Sequence, residues 1–240
     1  MTRPEFLALW MPIGPTPLLW LTVTLGAYAA ARKLQQLSAG RPYVNPVLLA
    51  IIIVATVVLA TGTSYKTYFA GTWFFNFLLG PATVALAVPL ARNLSHVWRS
   101  MRGIALALLA GSLTSIISGA ALVWVLGGSR QVALSIAPKS VTTPIAMALS
   151  QEIGGLPPLT AAFAILGGIL AAAAGQQLLK QFKIDDWRAH GLAAGVAGSG
   201  IAAAQVAPLD SSAAAFAALG IALNGILTAV ILPFLVLLWP

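Results

Sequence analysis

Apolar residues run through this chain in long blocks, not in the alternation of a half-buried strand or the single stripe of a soluble helix, and short clusters of proline, glycine or basic residues separate the blocks. After the breakers Pro12, Gly14, Pro15 and Pro17, residues 18–31 form the first block, continuing as helix towards Leu37. Residues 46–60, rich in Ile, Val and Leu, suit a lipid-facing helix that ends at the turn-forming residues 61–64. Residues 66–90 follow, with an aromatic entry (Tyr65, Tyr68, Phe69, Trp73, Phe74, Phe75) like an interfacial belt. In residues 104–126, Gly111, Ser112, Ser115, Ser118 and Gly119 offer small faces for close helix packing. Residues 158–179 carry Gly167, Gly168 and a run of alanines, which predicts burial among helices. Residues 190–207 are nearly all Gly, Ala, Ser and Val; Pro208 and Asp210 mark a break, and residues 213–238 are the last block, with Asn224 and Gly225 near its middle and Pro233 near its end. A bilayer is crossed by about 20 apolar residues, so the pattern predicts an all-α polytopic membrane protein of about 6–8 transmembrane helices in one membrane domain, residues 1–240.

One block breaks the pattern. Residues 131–156, QVALSIAPKSVTTPIAMALSQEIGGL, are apolar enough for a bilayer yet hold Pro138, Lys139, Ser140, Thr142, Thr143 and Pro144 together. Proline removes an N–H and clashes with the preceding turn, so a helix arriving from Val132 is expected to stop near Ala137 and restart at Pro138 or Ser140. Interrupted backbone in a membrane is tolerated where it is buried in protein or lines a cavity, and free helix amides attract anions. A proline kink with its hydroxyls bonded back to their own helix is the competing reading. A second copy favours the break: residues 79–85 align with 136–142 as small-Pro-x-hydroxyl-Val, each with a further proline (Pro89, Pro144) and then a small-residue span from near Ile104 or Leu159. Two Pro-broken or re-entrant helices from an internal repeat, units about 65–127 and 131–180, point to the binding site of a secondary transporter. The candidate substrate-binding residues are Asn76, Gly80, Pro81 and Thr83 at the first break and Lys139, Ser140, Thr142, Thr143 and Pro144 at the second. Lys139 either receives an anion beside the helix amides or snorkels to the interface.

Composition narrows the class. With 59% hydrophobic and 8% charged residues the chain is no soluble domain, for which about 25% charged is ordinary. Without cysteine it holds no disulfide, Cys-ligated zinc or iron–sulfur cluster. The formal charge of +8 is scattered in short clusters between apolar runs, which fits the positive-inside rule and not nucleic-acid binding. If the central segment re-enters, Arg32, Lys33, Arg41, Arg92, Arg99, Arg102, Lys180, Lys183 and Arg188 all lie on the cytoplasmic side, with the N-terminus outside. Whether residues 190–207 span or re-enter stays open, and with it the side of the C-terminus. Two isolated histidines, His96 and His190, and five carboxylates in no metal-ligand spacing make an enzyme or a cofactor unexpected. Both histidines read as solvated interfacial residues, and Glu152 and Asp210 as solvated end charges.

The two proline motifs, NFLLGPATVALAVPLARN (residues 76–93) and PKSVTTPIA (residues 138–146) followed by GGLPPLTAAFAILGGI, resemble those of the LrgB/CidB family, and the likeness runs from about Tyr65 to the C-terminus. That family contains holin-like and antiholin-like modulators of murein hydrolase activity and lysis. It also includes the plastid glycolate/glycerate translocator and bacterial members linked to movement of pyruvate-like acids. The resemblance implies a multi-pass protein of the bacterial cytoplasmic (inner) membrane. It also implies a carrier of small carboxylates coupled to a proton or sodium ion, or else a lysis modulator acting as a homo-oligomer or on a small holin-like membrane partner. A third family pattern, GxxxGTAxHxIGTA, is degraded: Gly191 and Gly195 are kept, Ser199 stands where the histidine falls, and Val196 and Ala203 replace threonines. A proton relay through that histidine is therefore not expected here.

Overall fold

The computed structural model describes residues 15–38, 44–75, 77–78, 81 and 101–237, and every regular element among them is a helix. They fall into two compact units, Met1–Ala85 and Leu86–Pro240. The first holds α1 (Pro15–Leu37), α2 (Pro46–Ala60) and α3 (Tyr65–Gly71). Asn45 is buried before α2 and its Oδ1 accepts from Val47 N and Leu48 N at 2.8 and 3.2 Å, supplying the partners that the first amides of a helix lack. α1 packs on both neighbours. Trp20 stands edge-on to Tyr68 with ring centroids 5.5 Å apart, over Gly71, where a Cβ would come within 2.8 Å of the indole. The aromatic entry at Tyr65, Phe69, Trp73 and Phe74 is exposed, as a belt facing lipid headgroups requires.

The second unit contains α4 (Met101–Val125), α5 (Arg130–Ile136), α6 (Thr143–Glu152), α7 (Pro157–Gln181), α8 (Trp187–Val206) and α9 (Ser211–Leu237). Three of these, α4, α7 and α9, are long and apolar enough to cross a membrane, and α2 is a shorter apolar helix. Residues 190–206 lie in α8, two helical stretches that meet at a kink at Ser199 (φ 49°, ψ −140°). α8 and α9 form the most intimate pair. Gly191 lies against the Ala213 backbone, where a Cβ would sit 2.8 Å from Ala213 Cα, and Gly195 lies against the Ala217 carbonyl, where a Cβ would also come within 3.1 Å of Ile221 N. Close approach through small residues is how membrane helices gain packing energy when lipid offers no hydrophobic drive. A second cluster of buried apolar side chains, with Ile104, Leu108, Leu192 and Phe216 at its centre, joins α4 to this pair.

The central segment is interrupted, as its prolines predict. α5 ends at Ile136 and residues 137–142 form successive turns, with Lys139 N bonded to Ile136 O and Val141 N to Pro138 O. The restart falls later than expected, at Thr143 instead of Pro138 or Ser140, because Pro144 is the proline that occupies the first helical turn of α6. α5 and α6 have 7 and 10 residues, too short for either to span about 30 Å at about 1.5 Å per residue. The chain then folds back on itself: Leu156 N donates to Ser135 Oγ at 2.8 Å, and Ser135 in turn donates to Gln131 O. Thr160 donates to Ser150 Oγ at 2.7 Å, tying the start of α7 to the end of α6. Gly155 leaves no room for a side chain in this corner, since a Cβ there would meet Ser150 Oγ and the Ser135 backbone.

Candidate functional site

The turn between α5 and α6 presents Lys139 to α4. Its Nζ donates to Ser115 O and to Ser115 Oγ, both at 2.8 Å, and Gly119, one turn along α4, makes the space: a Cβ there would lie 3.1 Å from the ammonium. No carboxylate among the described residues pairs with it, the ion pair found there being Arg188–Asp186 in the α7–α8 linker. Lys139 is half-buried and lines an open groove of about 740 Å³ between α4, α7 and α8, along which Ala107, Ala110, Thr114 and Leu170 are exposed. Apart from Lys139, Ser115 and Thr114, the wall is Ala, Gly, Leu and Val. A cation bonded to two neutral oxygens and to no anion retains the capacity to bind one.

Ser140 has a different role. It is buried at 1% exposure, and its carbonyl accepts from Asn224 Nδ2 at 3.2 Å, with the hydroxyl 3.5 Å away. Asn224 is itself fully buried in the middle of α9. The same amide donates to Val196 O on α8 at 3.2 Å, and its Oδ1 accepts from Ser112 Oγ on α4. One side chain therefore ties the interrupted segment to α4, α8 and α9. In a regular helix the Val196 carbonyl would be taken up by the residue one turn on, and the Ser199 kink falls inside that turn. Sequence reasoning noted Asn224 only for its position. A lone carboxamide in an apolar span is a signal that could have found it.

The other predicted site residues divide. Thr142 is the N-cap of α6 but its side chain makes no capping bond; Thr143 is half-buried and Pro144 exposed, and none of the three lines the Lys139 groove. At the first break, Asn76, Gly80 and Thr83 lie outside the described residues, and Pro81 is exposed. His190 requires a correction: it is buried at 3% exposure, not solvated, because its Nε2 is 2.7 Å from Ile184 O, its ring lies against Trp187, and it walls a second cavity of about 430 Å³ between α7 and α8. Its Nδ1 has no partner. His96 lies outside the described residues. Ser199 is buried with its hydroxyl unpaired. Glu152 is exposed as expected, whereas Asp210 caps α9, accepting from Ser212 N at 2.7 Å and Ala213 N at 3.2 Å. Among the described residues no three His, Cys, Asp or Glu side chains come together as metal ligands would.

Comparison with known proteins bears on the whole chain. The model of the LrgB-like family matches residues 24–238. The holin-like protein CidB of Staphylococcus epidermidis is 29% identical over 221 residues, covering 92% of this chain and 96% of that protein. CidB of Staphylococcus aureus is 29% identical over 222 residues, with the same coverage. A protein of Bacillus subtilis named YwbG, described as uncharacterized, is 33% identical over 216 residues, 90% of this chain and 95% of its own length. No solved structure matches. With a family match across nearly its full length and the spanning helices described above, this helical membrane protein belongs to the LrgB-like family, which includes the holin-like CidB proteins.

Proposed function

We propose that the chain is a secondary carrier of small carboxylates in the bacterial cytoplasmic membrane, with Lys139 as the cation that receives the acid. The observation that carries this reading is a half-buried ammonium at the wall of a groove, held by Ser115 alone and matched by no carboxylate among the described residues. An ionisable side chain inside a membrane domain is costly and marks an ion or substrate path. A single positive charge in a largely apolar groove suits a monovalent acid of the glycolate, glycerate or pyruvate type. The return of Leu156 to Ser135 supports a re-entrant segment that places Lys139 below the membrane surface. Asn224, bonded to the segment and to the kinked α8, couples the two backbones that border the groove. Coupling would be to a proton or sodium ion.

The names of the staphylococcal relatives favour a second reading, a holin-like modulator of lysis that acts as a homo-oligomer or on a small holin-like partner. Proteoliposomes separate the two. A carrier takes up labelled pyruvate or glycolate saturably and retains an entrapped dye; a lesion-forming protein releases the dye whatever acid is present. In the carrier, Lys139→Met leaves the carboxylate facing only hydroxyls and weakens binding more than about tenfold, since truncating one partner of a buried charge pair costs on the order of 2–5 kcal/mol. Lys139→Arg restores it only in part, because a planar fork does not replace a compact charge. Affinity of Lys139→Met within about threefold of the parent would remove the electrostatic basis of the reading.

A further inference from the structure

The kink in α8 turns the chain back on itself. A straight helix would hold Gly191 and Val206 about 22 Å apart. Yet Gly191 lies against the Ala213 backbone, and Val206 is buried in one cluster with Ala203, Ala213 and Ala217, on which Ala194 of the first stretch also packs. At the reversal a Cβ on Gly198 would come 2.5 Å from that of Ala202, two positions that stand a full turn apart in a regular helix. The first stretch therefore runs in beside α9 and the second runs back to where α9 begins, with Ser199 at the tip.

This hairpin and the one formed by α5 and α6 enter from opposite ends of α9. Leu149 of α6 is buried with Leu232, near the end of α9, whereas Gly191 lies at its start. The tips meet at its middle, where the Asn224 amide nitrogen is 3.2 Å from both Ser140 O and Val196 O. α7 passes both tips too: Val141 is buried with Ala164, and a Cβ on Gly168, one turn further, would lie 3.1 Å from Gly198 O. Each hairpin leads into a spanning helix that starts at the hairpin's own mouth, α7 after the first and α9 after the second, so α7 and α9 are antiparallel. The two helices also echo each other in sequence, AAFAILG at residues 161–167 and AAFAALG at 214–220, which differ only at the fifth position.

The end at which the α8 hairpin enters carries exposed Lys180, Lys183 and Arg188, with Arg102 at the start of α4, whose Ile104 is buried with Leu192 and Phe216. Arg130 stands at the other end. By the positive-inside rule the first of these ends is cytoplasmic. From Lys139 the groove runs to Ala107, Leu179 and Ala189 at the cytoplasmic end, and the first arm of α8 sides it through Ala193 and Val196. In the other direction Lys139 meets the buried cluster of Ile116, Ala137, Leu149 and Leu232. Resting on the carrier reading, we infer that residues 130–181 and 187–237 are two oppositely inserted copies of one unit, a re-entrant hairpin followed by a spanning helix. The α8 hairpin is the second arm of the anion site, and a small carboxylate reaches Lys139 from the cytoplasmic face along that arm. This pairing is distinct from the proline echo at residues 79–85.

The chain has no cysteine, so single cysteines can be read with a membrane-impermeant maleimide on right-side-out and inverted vesicles. Gln181→Cys, before the α8 hairpin, and Leu209→Cys, after it, should both label from the cytoplasmic face, and Leu126→Cys, after α4, from the outer one; all three positions are exposed. Ala197→Cys on the groove wall should label from the cytoplasmic face, and Ala193→Cys takes its place if that variant does not assemble. Pyruvate at about ten times its half-saturating concentration leaves the site empty about one-tenth of the time, so it should slow labelling of Ala197→Cys about tenfold. Lys139→Met should remove that protection. Leu209→Cys and Gln181→Cys labelled from opposite faces, or groove cysteines labelled from the outer face or from neither, overturn the inference whatever pyruvate does. The expected sidedness with no protection by pyruvate or glycolate sinks the carrier reading of Lys139 and upholds the two opposed hairpins.

Discussion

The two faces of α8 teach opposite lessons. Towards α9, Gly191 and Gly195 bring two backbones together so closely that even a methyl group has nowhere to go. Towards α4 and α7, Leu192, Ala193, Val196 and Ala197 border the Lys139 groove, in which Gly167 faces open space. The same small residue types serve both faces, so composition cannot distinguish a helix seam from a groove wall. Only the partner across the gap does. Small residues in a membrane helix therefore report close approach or deliberate space, and substitution by alanine tells which.

The largest effect is expected at the seam. Gly191→Ala or Gly195→Ala drives a methyl into a carbonyl of α9, and overpacking against backbone falls at the upper end of its usual cost, about 3 kcal/mol or more. Thermal unfolding in detergent should show a large loss of stability, or no assembled protein. Next comes Asn224→Leu, which strips Ser140 O, Val196 O and Ser112 Oγ of a shared partner. Hydrogen bonds between membrane helices average about 0.6 kcal/mol each, so about 1–2 kcal/mol is expected. A double-mutant cycle with Ser112→Ala should return a non-zero coupling.

Smaller still is the pH dependence of the entry to α8. A side-chain bond from Arg188 holds the Asp186 carboxyl below the ordinary carboxylate range, against the opposing effect of burial, and Asp186 also caps the helix through Arg188 N. A depressed folded-state pKa contributes stability that is complete above the unfolded value and lost as pH falls through the folded one, so this increment should disappear below the ordinary carboxyl range and not above it. Solvent screening keeps it small. Asp186→Asn retains a cap and should flatten that acid limb when melting temperature is followed against pH. Least of all, Gly167→Ala should leave stability within about 0.5 kcal/mol, as a substitution that meets no neighbour does. A loss near that of Gly195→Ala would erase the contrast between the two faces.

Local punctuation was legible in the chain. Pro46 and Pro157 open helices where proline is expected, the Thr61–Gly62 turn closes α2, and Pro138 marks the interruption. The restart was misplaced because Pro138 and Pro144 compete for the same role, and turn geometry decides for the second. The partners were not legible. Lys139 meets Ser115, 24 residues away, and Asn224 meets Ser140 across 84 and Ser112 across 112, pairings that no local spacing encodes. His190 was misjudged for a related reason: its place at the edge of a charged linker suggested water, while its surroundings come from the Ile184 carbonyl and the apolar wall of α7.

The kink at Ser199 has an energetic side. A residue other than glycine held at φ 49° and ψ −140° stores on the order of 1–3 kcal/mol of backbone strain. Straightening α8 would release that strain and would forfeit the bond from Asn224 to Val196 together with its hold on Ser140. The two quantities are alike in size and opposite in sign. Removing the Asn224 carboxamide is therefore expected to relax the kink as well as to release Ser140.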